Sequence, residues 1–399
     1  MQFHAIRDNV YVMPSLDWNR RLFDELIPLP DGTTYNSYIV MGNKKTALID
    51  TTDSSMQNEL LATLATQDIH IDYLIANHAE QDHSGSIPAV LTTYPDAQVV
   101  CTPKCKSILV DHLQITKEQI ITVEDGETIS LGDKILEFIH APWVHWPETM
   151  LTYLKDEHIL FPCDLFGSHL ATSALYACNA PAVYESAKRY YAEIMMPFRK
   201  QINKHLARLE DVNIDIIAPS HGPLHGNPTF IMDAYREWAS DQVKNVVVLP
   251  YVSMHGSVEA MVTYFIDALM DRGITVKPFN LTVSDVGELA MALVDAATVV
   301  VGSPTVLGGP HPTAVYATYL ANALRPKTKY ASIIGSYGWG GRMVDRLIDL
   351  MGNLKVELLE PVVAKGFPIG EDFASLDALA DIIFKRHANI CNAQGGENI

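Results

Sequence analysis

The 399-residue chain is predicted to form two α/β domains in succession, mixed sheets with outer helices and then one doubly wound parallel sheet. Three observations carry that expectation. The length exceeds the roughly 250–300 residues at which a single hydrophobic core stops growing. Strands and helices alternate irregularly up to about residue 240 and regularly after it. Apolar residues make up 48% of the chain and charged residues 19%, the balance of a protein that buries large cores.

In the first half, the segments 33–38, 45–50, 72–76 and 98–102 are short and rich in β-branched or aromatic residues, so they read as strands. Helices are expected at 56–66 and 86–93. The stretch 120–138 is broken by Asp125-Gly126 and Gly132-Asp133, which marks hairpins. A long helical stretch is expected over 183–210, then a buried strand at 214–218 and a last helix opening at Pro228 and ending near Gln242. In the second half, apolar strands at 246–250, 275–278, 298–302, 330–335 and 356–363 alternate with helical stretches, the pattern of a parallel sheet with helices on both faces. The expected domains are therefore 1–242 and 243–399.

Composition also excludes partners. Twenty-nine Lys and Arg against 47 Asp and Glu give a formal charge of −18, which repels phosphate backbones and anionic membrane surfaces. Nucleic-acid and membrane binding are not expected. The first residues lack the apolar stretch of a signal peptide, and no run of about eighteen apolar residues could span a bilayer. The five cysteines are scattered, odd in number and without paired C-x-x-C spacing, which fits a reduced cytoplasm.

The first chemical cluster follows the strand at 72–76. It reads Asn77-His78-Ala79-Glu80-Gln81-Asp82-His83-Ser84-Gly85, four potential ligands within six residues and a glycine for a tight exit. Alone, such a loop is as readily a solvated turn. Three further apolar segments end in His145, Asp164 and His221. Taken singly, these are a core histidine, a helix cap and a turn residue; taken together, the four segments supply the inventory of a shared metal site.

These segments resemble the metallo-β-lactamase-like domain of the flavodiiron proteins, and the resemblance covers nearly the whole chain. It implies an αββα sandwich followed by a flavodoxin-like domain. Hydrolases of the wider superfamily usually carry H-x-H-x-D-H, whereas this loop is H-x-E-x-D-H, and the extra carboxylate favours iron over a hydrolytic zinc pair. The resemblance assigns His78, Glu80 and His145 to one iron, Asp82 and His221 to the other, and Asp164 as the bridge. His83 is expected beside the irons without binding them. Tyr190, Tyr191 and His169 are candidate proton or hydrogen-bond donors nearby, each with packing as its simpler role.

After the strand at 246–250, the run Ser253, Met254, His255, Gly256, Ser257 enters a helix and offers N–H groups and hydroxyls to a phosphate. Neither G-x-x-x-x-G-K-[ST] nor G-x-G-x-x-G is present. Two later loops fall at the carboxyl ends of parallel strands, where open sheets bind ligands. They supply Ser303, Pro304, Thr305 and Gly308, then Ser336, Tyr337, Gly338, Trp339 and Gly340. Both resemble the FMN loops of the same family, the Tyr-Gly-Trp-Gly-Gly run most closely, although His255-Gly256 stands where relatives often have Trp.

The expected function is an FMN- and diiron-dependent oxidoreductase of an anaerobe that reduces O2 to water, with reduction of NO to nitrous oxide as the alternative. A zinc-dependent hydrolase fused to a flavodoxin-like module is the remoter reading, and a metal-free electron carrier remoter still. The resemblance implies a head-to-tail homodimer or dimer of dimers in which the neighbour's FMN completes the electron path. With no donor module in the sequence, electrons come from a separate rubredoxin or from a reduced deazaflavin coenzyme.

Overall fold

The structure, a computed structural model, describes residues 3–67, 69–178 and 180–393. The chain divides into two compact units, residues up to Tyr191 with Phe198–Ala239, and Ala192–Pro197 with residues from Ser240 onward. Cys101, Cys105, Cys163 and Cys178 are free thiols, and the side chain of Cys391 lies outside the described residues.

The first unit begins with β1 (His4–Arg7), β2 (Val10–Asp17), a hairpin of β3 (Leu22–Phe23) and β4 (Ile27–Pro28), and β5 (Thr33–Met41). β6 (Thr46–Ile49), β7 (Tyr73–Ile75), β8 (Gln98–Cys101) and β9 (Ile120–Thr122) complete a sheet ordered β1-β2-β5-β6-β7-β8-β9. A second sheet takes β10 (Thr128–Ser130), β11 (Ile135–His140), β12 (Met150–Leu154), β13 (Ile159–Phe161) and β14 (Ile216–Ile217) in sequence order. Both sheets are mixed, parallel from β6 to β9 and between β13 and β14, otherwise antiparallel.

The period-two alternation of strands makes this a layered body. Val12, Tyr38, Val40, Ile49, Ile75 and Val100 share one core with Phe138, Met150, Leu154, Ile159 and Phe161 of the second sheet. One residue out of phase, Met13, Ile39, Leu48, Leu74 and Val99 face the other way. They pack against helices α1 (Gln57–Ala65), α3 (Ile87–Thr93) and α4 (Pro103–Leu113) through Leu60, Ile87, Val90 and Leu109, with the short α2 (Gln81–Ser84) between α1 and α3 in the chain.

Sequence reading missed β1, β2, the β3–β4 hairpin, β12 and α4. The helical stretch expected over 183–210 is helical throughout, running as α5 (Ala180–Tyr190), a π-helical turn at Tyr191–Met195, a 3-10 turn at Met196–Phe198 and α6 (Arg199–Leu209). Pro197, which has no N–H to donate, falls in the 3-10 turn rather than in either α-helix. Helix α7 (Pro228–Ala239) closes the unit.

The second unit carries β15 (Lys244–Tyr251), β16 (Thr275–Asn280), β17 (Ala296–Val306), a short β18 (Gly309–Pro310), β19 (Tyr330–Tyr337), β20 (Glu357–Leu358) and β21 (Val362–Lys365). The main sheet is parallel in the order β16-β15-β17-β19-β20, and β21 also pairs with β19. The single strand expected at 356–363 is thus split, because Pro361 has no N–H for the ladder. Helices α8 (Ser257–Met270) and α12 (Gly370–Ala393) cover one face through Met261, Phe265, Leu376 and Ile383. On the other, Leu289 and Leu293 of α9 (Val286–Leu293) and Ala317 and Ala321 of α10 (Pro312–Leu324) meet Val299 and Val301. Helix α11 (Met343–Asp349) follows β19.

His387 pins α12 to the sheet. Asn245 Nδ2 donates to Gly273 O, so its Oδ1 accepts the Nδ1–H of His387 at 2.7 Å, and Nε2 accepts from the Thr298 hydroxyl at 2.7 Å. Burial lowers His387 to about 4, and likewise His225 of the first unit, whose Nε2 donates to Phe166 O. Both rings are neutral when folded and take up protons in the unfolded chain near pH 6.5. Acid therefore favours unfolding from about 6.5 down to about 4, at a cost on the order of 2–3 kcal/mol per ring. Urea midpoints are expected to fall between about pH 7 and about pH 4.5, and His387→Gln, which keeps a donor and an acceptor, is expected to lessen that fall.

Candidate functional site

The ends of four strands in the first unit present the ligand types that the sequence marks. His78, Glu80, Asp82 and His83 follow β7, His145 follows β11, Asp164 follows β13 and His221 follows β14. Glu80 precedes the single turn of α2, which brings Asp82 and His83 inward at 5% and 2% exposure. Gly85 ends that turn, and a Cβ there would lie 2.3 Å from Gln81 O, so only glycine fits.

Two groups of ligand atoms result. In one, Glu80 Oε2 lies 3.1 Å from His78 Nε2 and 3.0 Å from His145 Nε2, and Asp164 Oδ2 lies 3.5 and 3.4 Å from the same two nitrogens. In the other, Asp82 Oδ2 lies 3.1 Å from His221 Nε2 and 3.2 Å from His83 Nε2, while Asp164 Oδ1 lies 3.3 and 2.9 Å from them. Asp164 is thus shared, one oxygen to each group. His83, expected beside the irons without binding them, turns its Nε2 toward Asp164 and Asp82 as His221 does, because consecutive residues of the α2 turn both point inward.

The electrostatics fit a pair of cations. Both oxygens of Asp82 and of Asp164 and both ring nitrogens of His83 are buried without a hydrogen-bond partner. That many orphaned polar atoms in one place is costly unless positive charge is shared among them. Without an ion, protons serve. Burial opposes the charged imidazoles, but the facing carboxylates of Asp164 and Glu80, and of Asp164 and Asp82, raise His145 to about 9 and His221 to about 10. Burial also opposes the Asp164 carboxylate, yet the surrounding histidines hold it well below the usual range. Metal ions taken up here displace those protons.

The surroundings orient the ligands. His221 Nδ1 donates to Thr34 O at 2.7 Å, which turns Nε2 to the centre, and His78 Nδ1 contacts Glu148 Oε1 at 2.7 Å. Glu148 escaped the sequence reading; its signal was a carboxylate inside an otherwise apolar run. Phe23 of the β3–β4 hairpin packs on His169 and His221, with ring centres 4.9 and 6.4 Å away. His169 meets Tyr190 and His221 edge-on with ring centres 4.8 Å away in each case, its Nδ1 beside the Thr33 hydroxyl and its Nε2 unpartnered. Burial, then His221, lowers His169 well below its ordinary value, so the ring is neutral. Tyr191 lies instead among Tyr235 and Trp238 as a packed aromatic.

In the second unit, a cavity of 290 Å³ opens at the carboxyl ends of the parallel strands. Ser253, Met254, His255, Ser257, Pro304, Thr305, Ser336, Tyr337, Gly338 and Trp339 all line it, joined by Val258 and Gly366, which the sequence reading omitted. A neighbouring cavity of 220 Å³ shares Thr305 and Tyr337 and takes in Gly340 and Arg342. Gly256 caps α8 at φ 85°, a left-handed turn into the helix, with no side-chain cap of its own, and Glu259 N in the first turn donates to Ser253 Oγ. Ser303 and Gly308 line neither cavity. The Ser303 hydroxyl is spent on Pro304 O and His311 N, and Gly308 O accepts from Arg342 N. An open floor of glycines, an aromatic wall and a helix N-terminus suit a planar phosphorylated ligand of mononucleotide size.

Comparison with known proteins adds to this geometry. A family model described as "ODP family beta lactamase" matches residues 33–222. The chain is 38% identical to a nitric oxide reductase of Moorella thermoacetica, over 92% of this chain and 94% of that one. It is 31% identical to the coenzyme F420H(2) oxidase of Methanothermobacter marburgensis, over 87% and 89%. The solved rubredoxin oxygen:oxidoreductase of Desulfovibrio gigas superposes with a TM-score of 0.94 at 29% identity, over 98% and 99% of the two chains. A flavodiiron protein of Giardia intestinalis gives 0.90 at 26% identity, over 98% of each chain.

Proposed function

The chain belongs to the flavodiiron proteins, and from that membership we propose that it is an oxidoreductase that reduces O2 to water at a nonhaem diiron centre with electrons passed through FMN. The observation that carries this reading is the division of Asp164, one oxygen to each of two ligand groups. His78, Glu80 and His145 would hold one iron and Asp82 and His221 the other, with His83 added to the second set on its geometry. The domains would be 1–242 for the irons and 243–399 for FMN.

Bound there, two irons supply electrons and a Lewis-acidic seat for a diatomic molecule. The chain's own residues do the rest. Asp164 holds the two ligand groups at a fixed separation, and Thr34 O keeps the metal-facing nitrogen of His221 in place. Phe23 packs its ring against His169 and His221, and Tyr190, raised by burial and by Asp164, keeps its proton next to the carboxylate. Four electrons and four protons convert one O2 to two waters. In the second unit the Ser253–Ser257 loop would seat the FMN phosphate, and Tyr337 and Trp339 would flank its ring.

A second reading is reduction of two NO to nitrous oxide and water with two electrons and two protons, favoured by the 38% identity to a protein named nitric oxide reductase. The donor would be rubredoxin or a reduced deazaflavin coenzyme, as the names of two relatives indicate for those proteins. A cytoplasmic, head-to-tail homodimer completes the proposal; no helix among the described residues is long and apolar enough to cross a membrane. The test is anaerobic protein loaded with iron and FMN, given reduced rubredoxin or reduced deazaflavin, with O2 and NO each followed by electrode. Consumption of either gas supports the reading. Consumption of neither, or stoichiometric zinc with hydrolase turnover, overturns it.

A further inference from the structure

His78 and His221 each present Nε2 to the centre, but their outer nitrogens are held in different ways. His221 Nδ1 donates to a neutral backbone carbonyl, Thr34 O. His78 Nδ1 lies 2.7 Å from Glu148 Oε1, with both side chains fully buried. That oxygen also accepts from Ala79 N at 3.0 Å, and Thr102 donates through its hydroxyl to Glu148 O at 2.9 Å. Side chain and main chain of Glu148 are therefore both fixed. Its second oxygen has no hydrogen-bond partner, so no second side chain competes with His78 for this carboxylate. Trp146 stands edge-on to His78 at 5.0 Å and 89°, limiting rotation of the ring.

We infer that Glu148 is a positioning residue that fixes His78 for one of the two irons and makes that iron electronically unlike its neighbour. A carboxylate accepting the Nδ1–H makes the opposite nitrogen a stronger donor, whereas a carbonyl does so less. The iron in the His78 group is then the better stabilised in its oxidised form. This rests on the diiron reading of the centre and deepens it.

The experiment uses the full chain stripped of metal by chelation. Ferrous iron is titrated anaerobically into the native chain, Glu148→Gln and Glu148→Ala, and each loaded sample is followed by Mössbauer spectroscopy through a redox titration. The native chain is expected to bind two irons. Glu148→Ala is expected to lose roughly 10- to 100-fold in affinity at one iron and to keep the other. Glu148→Gln retains an oxygen for both donors, and is expected to hold both irons while the potential of one alone rises. Native affinity and an unchanged spectrum in both variants overturn the inference, as does equal weakening at both irons. Failure of the native chain itself to bind two irons overturns the diiron reading instead.

Discussion

Asp164→Ala is expected to abolish consumption of O2 and of NO, by at least about 100-fold, while the flavin spectrum and its reduction by dithionite stay as in the native chain. The reason is the sharing seen in the structure. Four imidazole nitrogens, from His78, His83, His145 and His221, lie within 3.5 Å of the two carboxylate oxygens. Removing the carboxylate takes one ligand from each group together, and leaves four histidines without their common counter-charge. Breaking a buried ionic cluster from one side costs about 3–5 kcal/mol, so Asp164→Asn, nearly identical in shape, serves as the variant that spares the fold. Iron analysis and O2 or NO electrode traces read the loss. The residue and the flavin cavity fall in different compact units. Loss of flavin along with activity, in a chain that circular dichroism shows to be folded, would contradict the division of labour between them.

Glu80→His is expected to exchange the metal rather than lose it. Glu80 Oε2 stands within 3.1 Å of His78 Nε2 and His145 Nε2, so its charge and hard oxygen belong to that ligand group. An imidazole in its place gives three nitrogen ligands and one fewer negative charge, a set that suits zinc and disfavours iron in higher oxidation states. Zinc carries no redox chemistry. The variant is expected to show a raised zinc-to-iron ratio by elemental analysis and reduction of O2 or NO slower by at least about 100-fold. Full iron content with native turnover would remove Glu80 from its assigned role.

Much of this centre was legible in the sequence because each ligand follows an apolar strand, and strand ends place side chains at a rim. The H-x-E-x-D-H run, His145, Asp164 and His221 could be found that way, and the fold brings them together. Glu148 could not. It lies seventy residues from His78 along the chain, and only folding makes the two adjacent. Sequence spacing alone does not show that the α2 turn points both Asp82 and His83 inward. The flavin loops were legible through their glycines, but Ser303 was not separable from Thr305, since the direction of its hydroxyl depends on His311. Strands β1 and β2 went unread although Val10 and Val12 alternate in the expected way, because polar residues interrupt the apolar pattern. Pro361 was the break that the strand over 356–363 should have respected.

The most direct test of the central claim is a single-turnover reoxidation. Chain loaded with iron and FMN is fully reduced without oxygen and mixed in a stopped-flow instrument with O2, and separately with NO, while flavin absorbance is followed and hydrogen peroxide is assayed. The account predicts rapid return of oxidised flavin with at least one of the gases, no accumulation of peroxide with O2, and a rate at least about 100-fold lower in Asp164→Ala. Equal rates in the two proteins, or peroxide in step with the O2 consumed, would show that the flavin reacts alone and that the metal centre takes no part.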